Sequence, residues 1–291
     1  VEGPEYETLC LGGSNCEIND LESVMRFNRG CDDLGLDTMS TGNTIGLAME
    51  LTESGVHDFG LAFGQMEDYL AVVTEMAYLS TDRGCDLALG AAKLADKYEV
   101  AGEAAHVKGL EMPAYDPRGN YGMGLAYATS ERGACHLRAF TITADDPFKI
   151  KDLVKDVVNG QNGNAVKWCM CFCDFWGSVD TTIMAEILTT GLGRQVSAED
   201  LDKVGERIWN LIRLYNLAAG FTAVDDVLSE KMAKKALKHG PHDGRVISTE
   251  ILEDMKARYY HMRGWDEGGR PQQEKLRELG IGDFQLTTEN R

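Results

Sequence analysis

The 291-residue sequence is short of basic residues, with 29 lysines and arginines against 47 aspartates and glutamates and a formal net charge of −18. This balance argues against a protein that binds nucleic acid or an anionic membrane, because either surface calls for a basic face. No apolar run approaches the roughly 18 residues that a membrane-spanning helix needs. The sequence also shows no signal-peptide pattern, no internal repeat and no sustained two-residue alternation, so β-strands are expected to be incidental at most.

The sequence opens with Val1-Glu2, has no initiator methionine, and begins inside a motif described below. We therefore expect a fragment or a processed piece of a longer chain. Its eight cysteines do not have the pattern of a secreted disulfide scaffold. They favour a reducing, cytoplasmic location, with some thiols buried as small apolar groups and at least one available for a metal.

Most of the sequence is typical of helices in a globular protein, with 43% hydrophobic and 26% charged residues. Capping patterns and apolar stripes predict helices from Asn19 to about Leu34, over residues 44–53, 65–79 and 82–98, from Asp146 to about Val158, over residues 177–190, and from Ser197, Thr222 and Ser248. Residues 159–164 are predicted to form a turn-rich loop. The predicted fold class is all-α and multihelical.

Two prolines and an Asp-Pro pair within residues 108–118 end regular structure, which predicts two packed helical domains over residues 1–112 and 113–291. Residues 118–138 follow, with four glycines, three arginines, a cysteine and a histidine and no clean amphipathic period. Composition alone favours a surface loop there. Glycine at this density is costly to order, however, and is usually kept where backbone runs close to something else.

Asp32 and Asp37 flank Gly35 at the predicted end of the first helix, so their carboxylates can converge on one ligand. An ionised carboxylate accepts two hydrogen bonds at once, which suits the adjacent N–H donors of a pterin edge. The alternative is an ordinary acidic helix end followed by a loop. Negative charge at a helix C-terminus opposes the helix dipole, which mildly favours a special role.

Cys169, Cys171 and Cys173 form the tightest group of thiols, but nothing nearby supplies a C-x-x-C partner pair. Zinc and iron–sulfur sites need four ligands, so a single ligand completed by cysteines elsewhere is favoured over a closed local site. Burial as small apolar residues is the alternative for Cys169 and Cys171. Glu7 and His136 are ordinary singly, and they would make a general acid/base pair if the fold brought them together.

Five motifs in series resemble those of the tungsten-dependent aldehyde:ferredoxin oxidoreductases, and the resemblance covers essentially the whole chain. They are Gly3-Pro-Glu-Tyr-Glu-Thr8, Cys31-Asp-Asp-Leu-Gly-Leu-Asp37, Lys108-Gly-Leu-Glu111, Tyr115-Asp-Pro-Arg-Gly119 and Arg132-Gly-Ala-Cys-His-Leu-Arg138. Tyr215-Asn216 and residues 259–266 agree with the same family. The resemblance implies domains 2 and 3 of that fold, a tungsten or molybdenum ion held by two molybdopterins, a [4Fe–4S] cluster, and Mg²⁺ on the pterin phosphates.

The resemblance also implies an oxidoreductase of anaerobes that oxidises aldehydes to carboxylic acids and passes electrons singly to ferredoxin. By the same carry-over, Glu7 and His136 are the acid/base pair beside the metal. One pterin-binding motif comprises Asp32, Gly35, Leu36 and Asp37. Cys173 is the late cluster ligand, with Cys171 as its rival.

The sequence departs from the family pattern at the second pterin motif. An aspartate five residues before the late cysteine and Gly-Leu just before it are replaced by Trp168, Cys171 and Phe172. The family's first three cluster cysteines and its N-terminal β-rich domain would precede Gly3, so we expect a missing N-terminal domain or partner subunit. Two alternatives stay open: a tungsten-dependent aryl-CoA ring reductase of the benzoyl-CoA type, and a non-catalytic fragment or subunit.

Overall fold

The computed structural model describes residues 3–177 and 179–284, where nearly all regular structure is helical. The α-helices in chain order are α1 (Tyr6–Thr8), α2 (Leu21–Leu34), α3 (Thr38–Glu53), α4 (Glu67–Tyr78), α5 (Asp82–Leu87), α6 (Ala91–Lys97), α7 (Tyr121–Thr129), α8 (Ile150–Cys169), α9 (Thr181–Leu192), α10 (Ala198–Ala218), α11 (Glu230–Lys234), α12 (Thr249–Arg263) and α13 (Gln273–Glu278). A π-helix spans Leu9–Gly13, and 3₁₀ turns span Ser14–Cys16 and Ala101–Glu103. The predicted all-α class is confirmed.

The β-structure of the described residues is a small antiparallel hairpin and one isolated bridge. Strands β1 (His106–Val107) and β2 (Leu110–Glu111) pair His106 with Glu111 and Val107 with Leu110. The bridge joins Trp265 to Pro271. Of the helices in the described part of the chain, none has the length and apolar character to cross a membrane.

The chain divides into two compact units. Unit 1 comprises the described residues through Asp116 together with Arg132–Ala134 and Leu228–Leu237. Unit 2 comprises Pro117–Glu131, Cys135–Val227 and the described residues from Lys238 onward. The two domains expected over residues 1–112 and 113–291 stay a prediction, since compactness alone does not show that either part folds by itself.

Helix α3 runs through the core of unit 1 and is buried over most of its length. Phe27 of α2 and Tyr69 of α4 stack with ring centroids 5.2 Å apart, and the Tyr69 hydroxyl donates to the Gly12 carbonyl in the π-helix. A Cβ added at Gly42 would lie 2.6 Å from the Leu11 carbonyl. Glycine at position 42 therefore lets α3 pack directly on the backbone of the π-helix.

Unit 2 is built around a buried polar network on α8, α10 and α12. Gln161 of α8 accepts hydrogen bonds at 2.7 Å from both the Tyr259 hydroxyl and the Arg263 guanidinium. Trp209 of α10 donates its indole N–H to the same Tyr259 hydroxyl at 2.6 Å. The prediction of a loop over residues 159–164 is wrong, because these residues belong to α8. The glycines and asparagines of this stretch suggested turns, but the buried network holds Gln161 in the helix.

Three helix starts predicted from capping residues differ in the structure. Asp20, not Asn19, caps α2 and accepts from the Ser23 amide at 2.8 Å. Asp146 accepts from the Phe148 amide in a turn, and α8 begins later, at Ile150. Thr222 starts a turn rather than a helix. A short polar side chain can satisfy a turn as well as a helix end, so the sequence pattern is ambiguous.

Two starts were predicted correctly from their local pattern. Ser197 forms a full capping box with Asp200 at the beginning of α10. Ser248 caps α12 and accepts from the Ile251 amide. In contrast, the single helix expected over residues 82–98 is two helices, α5 and α6. They are separated at Gly90, whose φ of 80° cannot continue a helix.

The glycine-rich stretch predicted as a surface loop contains α7, all of whose residues are buried. Asn120 caps this helix by accepting from the Met123 amide at 3.2 Å. A Cβ added at Gly122 would lie 2.6 Å from the Thr141 hydroxyl oxygen. The close approach that the glycines of this stretch predicted is therefore found between the backbone of Gly122 and the side chain of Thr141, in the interior of the protein. A helix buried on every side has no amphipathic period, so the sequence pattern could not reveal it.

Candidate functional site

Glu7 is a buried carboxyl group on α1, only 9% exposed. Its Oε2 accepts a hydrogen bond from the Ala114 amide at 2.8 Å. Burial raises the pKa of Glu7 above its usual value, and the Ala114 hydrogen bond opposes that rise. The neighbouring residues Tyr6 and Tyr115 stack with ring centroids 5.2 Å apart, which holds the segment of Glu7 against the segment of Ala114. A buried carboxyl with a raised pKa is suited to exchanging protons near neutral pH.

The segment that follows Glu7 is an unusual helix held against α3. It is the π-helix Leu9–Gly13, a form that often occurs at functional sites. The hydroxyl oxygens of Thr8 and Thr38 lie 2.8 Å apart, in hydrogen-bonding contact. Thr38 is the first residue of α3, and the residue before it, Asp37, is that helix's N-cap. Unit 1 therefore joins the residue after Glu7 to the residue that follows the loop with the predicted pterin-binding aspartates.

That loop, residues 31–37, is ordered by the end of α2, and we call it the first cofactor loop. Gly35 has a φ of 73°, and its amide reaches the Asp32 carbonyl at 3.4 Å. The Leu36 amide donates to the Cys31 carbonyl at 2.9 Å, completing a Schellman-type helix end. Leu36 packs on the core of unit 1 and anchors the loop. The prediction that Gly35 ends this helix is confirmed.

Asp32 and Asp37, two of the three aspartates of the first cofactor loop, are exposed and oriented. The Asp32 carboxylate accepts from the Asn28 side-chain amide at 2.8 Å, and Oδ1 of Asp37 accepts from the Ser40 amide at 2.7 Å. A Cβ at Gly35 would meet nothing within 4 Å, so the space over the turn is open. Two oriented carboxylates beside an open turn fit the N–H donors of a pterin edge.

Glu111 contacts the first turn of α3, directly after this loop, and the sequence alone assigned it no role. Only 7% exposed, it accepts from the Ser40 hydroxyl through Oε2 and from the Ala91 amide through Oε1, each at 2.8 Å. Since the Asp37 carboxylate caps α3 by accepting from the Ser40 amide, Glu111 supports the residue that orients that carboxylate. The only signal in the sequence was its place in the motif Lys108-Gly-Leu-Glu111.

His136 lies in unit 2 and is half-buried. Burial lowers the pKa of His136, and the nearby negative charge of Asp174 opposes that change. A neutral imidazole carries one N–H donor and one acceptor nitrogen. Glu7 belongs to unit 1, so its pairing with His136 stays a prediction.

The segment after His136 is held by charge and stacking. The Arg138 guanidinium lies 4.3 Å from the ring centre of Trp168 and forms an ion pair with Glu131. The Glu131 carbonyl accepts from the Asn216 side chain at 2.8 Å. Residues from three of the sequence motifs are therefore packed together in unit 2.

The three clustered cysteines lie at the end of α8 and have exposed, free thiols. The alternative of burial for Cys169 and Cys171 is therefore wrong. Cys171 adopts a left-handed conformation, with a φ of 58°. Among the described residues, no three His, Cys, Asp or Glu side chains are grouped so as to hold a metal ion. Cys173 as a cluster ligand, with Cys171 as its rival, stays a prediction.

A solved structure shares this helical fold. It is the active-site complex BamBC of benzoyl coenzyme A reductase with 1,5-dienoyl-CoA, matched with a TM-score of 0.77 over 96% of this chain and 49% of that chain. The sequences are 18% identical, so this likeness shows the fold alone. The fold is thus the multihelical class that also occurs in a reductase.

Sequence comparisons identify the family. The model for domains 2 and 3 of aldehyde ferredoxin oxidoreductase matches residues 1–281. The tungsten-containing aldehyde ferredoxin oxidoreductase of Thermococcus kodakarensis is 40% identical over 98% of this chain and 49% of its own length. The protein of that name from Pyrococcus furiosus is 36% identical over the same shares. The chain belongs to the aldehyde ferredoxin oxidoreductase family, and it spans about half the length of these curated relatives.

Proposed function

We propose that this chain is the C-terminal part of a tungstopterin and iron–sulfur oxidoreductase that oxidises aldehydes to carboxylic acids, with ferredoxin as electron acceptor. The observation that carries the proposal is the contact of Thr8 with Thr38, which links the segment of the buried Glu7 to the helix that begins directly after the first cofactor loop. Membership of the family and the names of the relatives support the reaction class. We place the protein in the cytoplasm, because the structure pairs none of its eight cysteines in a disulfide.

The cofactor residues follow from the chemistry of their side chains. Two molybdopterins with tungsten or molybdenum would supply two-electron redox chemistry, and a [4Fe–4S] cluster would pass the electrons on singly. Asp32 and Asp37 would hold one pterin by accepting its N–H groups, and Gly35 and Leu36 shape the loop. Cys173, or Cys171, would supply one thiolate to the cluster. An N-terminal domain or partner subunit would supply its other ligands, and Mg²⁺ would bind the pterin phosphates.

The two acid/base residues have complementary tasks. His136 donates an N–H to the carbonyl oxygen of the aldehyde, which makes the carbonyl carbon more electrophilic. Glu7 accepts a proton from the water that attacks this carbon. Burial of Glu7 favours its protonated form once the proton has arrived, and so assists the transfer.

Substrate profiling of the purified holoenzyme tests the reaction. We expect anaerobic oxidation of simple aldehydes to acids with ferredoxin or an artificial acceptor. Aryl-CoA thioesters are assayed in parallel, because Trp168, Cys171 and Phe172 depart from the second pterin motif. Ring reduction without aldehyde oxidation would refute the proposal in favour of a benzoyl-CoA type reductase.

Metal analysis tests whether this part of the protein needs a partner. Purified alone, residues 1–291 are expected to hold little tungsten and no stable four-iron cluster. Stoichiometric tungsten and iron in the isolated chain would contradict the need for an N-terminal domain or partner subunit.

The net charge of −18 means that an acidic ferredoxin would have to dock on a local basic patch of this protein. The binding of ferredoxin should therefore weaken as the salt concentration rises.

A further inference from the structure

The end of α8 repeats the backbone arrangement of the first cofactor loop, and we call residues 167–174 the second cofactor loop. The Phe172 amide donates to the Lys167 carbonyl at 3.1 Å, and the Cys171 amide donates to the Trp168 carbonyl at 3.0 Å. Cys171 has the left-handed conformation that Gly35 has in the first loop. The two helix ends therefore share one backbone form, although glycine has been replaced in the second.

This equivalence puts Trp168 at the place that Asp32 occupies in the first loop. An indole has one N–H donor and no acceptor, so Trp168 cannot receive the N–H groups of a pterin. Its Nε1 instead donates to Oδ1 of Asp174 at 2.8 Å. The Arg138 guanidinium lies over the face of the indole ring, so Trp168 is held both at its Nε1 edge and at its face. The replacement thus brings a different carboxylate to the same helix end.

The Asp174 carboxylate is oriented but still has capacity to bind. It is half-buried, and the indole occupies a single lone pair of Oδ1. Within residues 3–177 and 179–284, no other hydrogen bond or ion pair reaches this carboxylate. A carboxylate has about four lone-pair sites, so both of its oxygens can still accept from a ligand.

We propose that Asp174, held by the indole of Trp168, is the carboxylate of the second cofactor loop that accepts the N–H groups of a pterin. The inference rests on the proposed function, because it assumes that two pterins are bound. It resolves the departure at Trp168, since the acceptor that the family pattern places at residue 168 is supplied by residue 174. The ligand class is a bicyclic heteroaromatic ring with adjacent N–H donors.

Asp174→Asn is the most informative variant. The asparagine oxygen can still accept from Trp168, so the loop is retained, but the amide cannot accept two N–H groups as a carboxylate does. Asp156→Asn is the matched control, because Asp156 is an exposed aspartate on α8, the helix that leads into the second cofactor loop. Each holoenzyme is assayed for pterin, by oxidation to a fluorescent derivative, and for tungsten by mass spectrometry. A melting temperature is measured alongside.

Loss of a charge-assisted hydrogen bond is expected to weaken pterin retention about tenfold in Asp174→Asn. Its melting temperature should stay close to that of the control. Trp168→Asp in an Asp174→Ala background should restore pterin content, because it returns the carboxylate to the position of the family motif. A purely structural Trp168–Asp174 pair would show no such rescue.

Two outcomes overturn the inference, and they differ in what they say about the proposed function. If the wild-type enzyme is fully loaded and Asp174→Asn holds as much pterin and tungsten as Asp156→Asn, the role of Asp174 is refuted. The proposed function is then unaffected. A wild-type enzyme without pterin refutes both the role of Asp174 and the proposed function.

Discussion

Replacing Glu111 tests whether a buried carboxylate supports the first cofactor loop. Glu111→Ala removes two hydrogen bonds at 2.8 Å and leaves the Ala91 amide without its acceptor. Each hydrogen bond to a charged group contributes about 1.5–3 kcal/mol, so we expect a local loss of about 3–6 kcal/mol from the two. Glu111→Gln is the matched control. Its amide oxygen can accept from Ala91 and its amide nitrogen can donate to the Ser40 hydroxyl, so the loss should stay below about 1.5 kcal/mol.

Amide hydrogen exchange is the suitable assay, because it measures the local opening of individual segments in a protein of two compact units. In Glu111→Ala, the amides of Ala91 and Ser40 should exchange about 100-fold faster or more, as a loss above about 3 kcal/mol requires. Amides of α12, in unit 2, serve as an internal reference. Equal protection of Ala91 and Ser40 in the alanine and glutamine variants would refute the support that we assign to Glu111.

Further predictions concern the rest of unit 1. Glu7→Gln should reduce aldehyde turnover about 10²- to 10⁴-fold if Glu7 is the general base, and turnover equal to wild type would exclude that role. Because burial raises the pKa of Glu7, the acid limb of kcat/KM should lie above the usual glutamate pKa. For the same reason the folded protein holds the Glu7 proton more tightly than the unfolded chain does. The contribution of Glu7 to the free energy of unfolding is therefore largest below its pKa in the unfolded chain, and it is lost as the pH rises through its pKa in the folded protein. Denaturation of wild type and Glu7→Gln across pH should show that difference, and parallel profiles would contradict it. Gly35→Ala should destabilise the end of α2 by about 1 kcal/mol through its φ of 73° alone, since a Cβ there meets nothing within 4 Å. Gly42→Ala should cost more, about 1–3 kcal/mol, because its Cβ would lie 2.6 Å from the backbone of Leu11; equal losses in thermal unfolding would show that the contact can relax.

Local pattern predicted those elements whose defining contacts lie within a few residues. Ser197 and Ser248 start helices through hydrogen bonds to amides three residues on. Gly35 ends α2 because its own backbone conformation stops the helix. Such interactions are complete within one turn of chain, so the sequence alone carries the information.

Burial decided the elements that the sequence pattern misjudged. Helix α7 is glycine-rich and looked like a loop, yet the contact of Gly122 with Thr141 requires it to lie inside. Gln161 lies in a stretch of glycine and asparagine that suggested a turn, and partners such as Tyr259, 98 positions away, keep it helical. Tertiary contacts of this kind override local preference.

The candidate site divides in the same way. Glu7, Asp32 and Asp37 could be named from their motifs, because those side chains belong to short segments of characteristic spacing. The roles that we propose for Glu111 and Asp174 could not. Glu111 meets Ser40 across 71 positions of chain, and Asp174 becomes significant only once α8 ends in the same form as α2. The sequence determined the helical class, the family and the residue types of the site, and local hydrogen bonds orient Asp32 and Asp37. Hydrogen bonds between distant segments decided how the buried carboxyl groups of Glu7 and Glu111 are held.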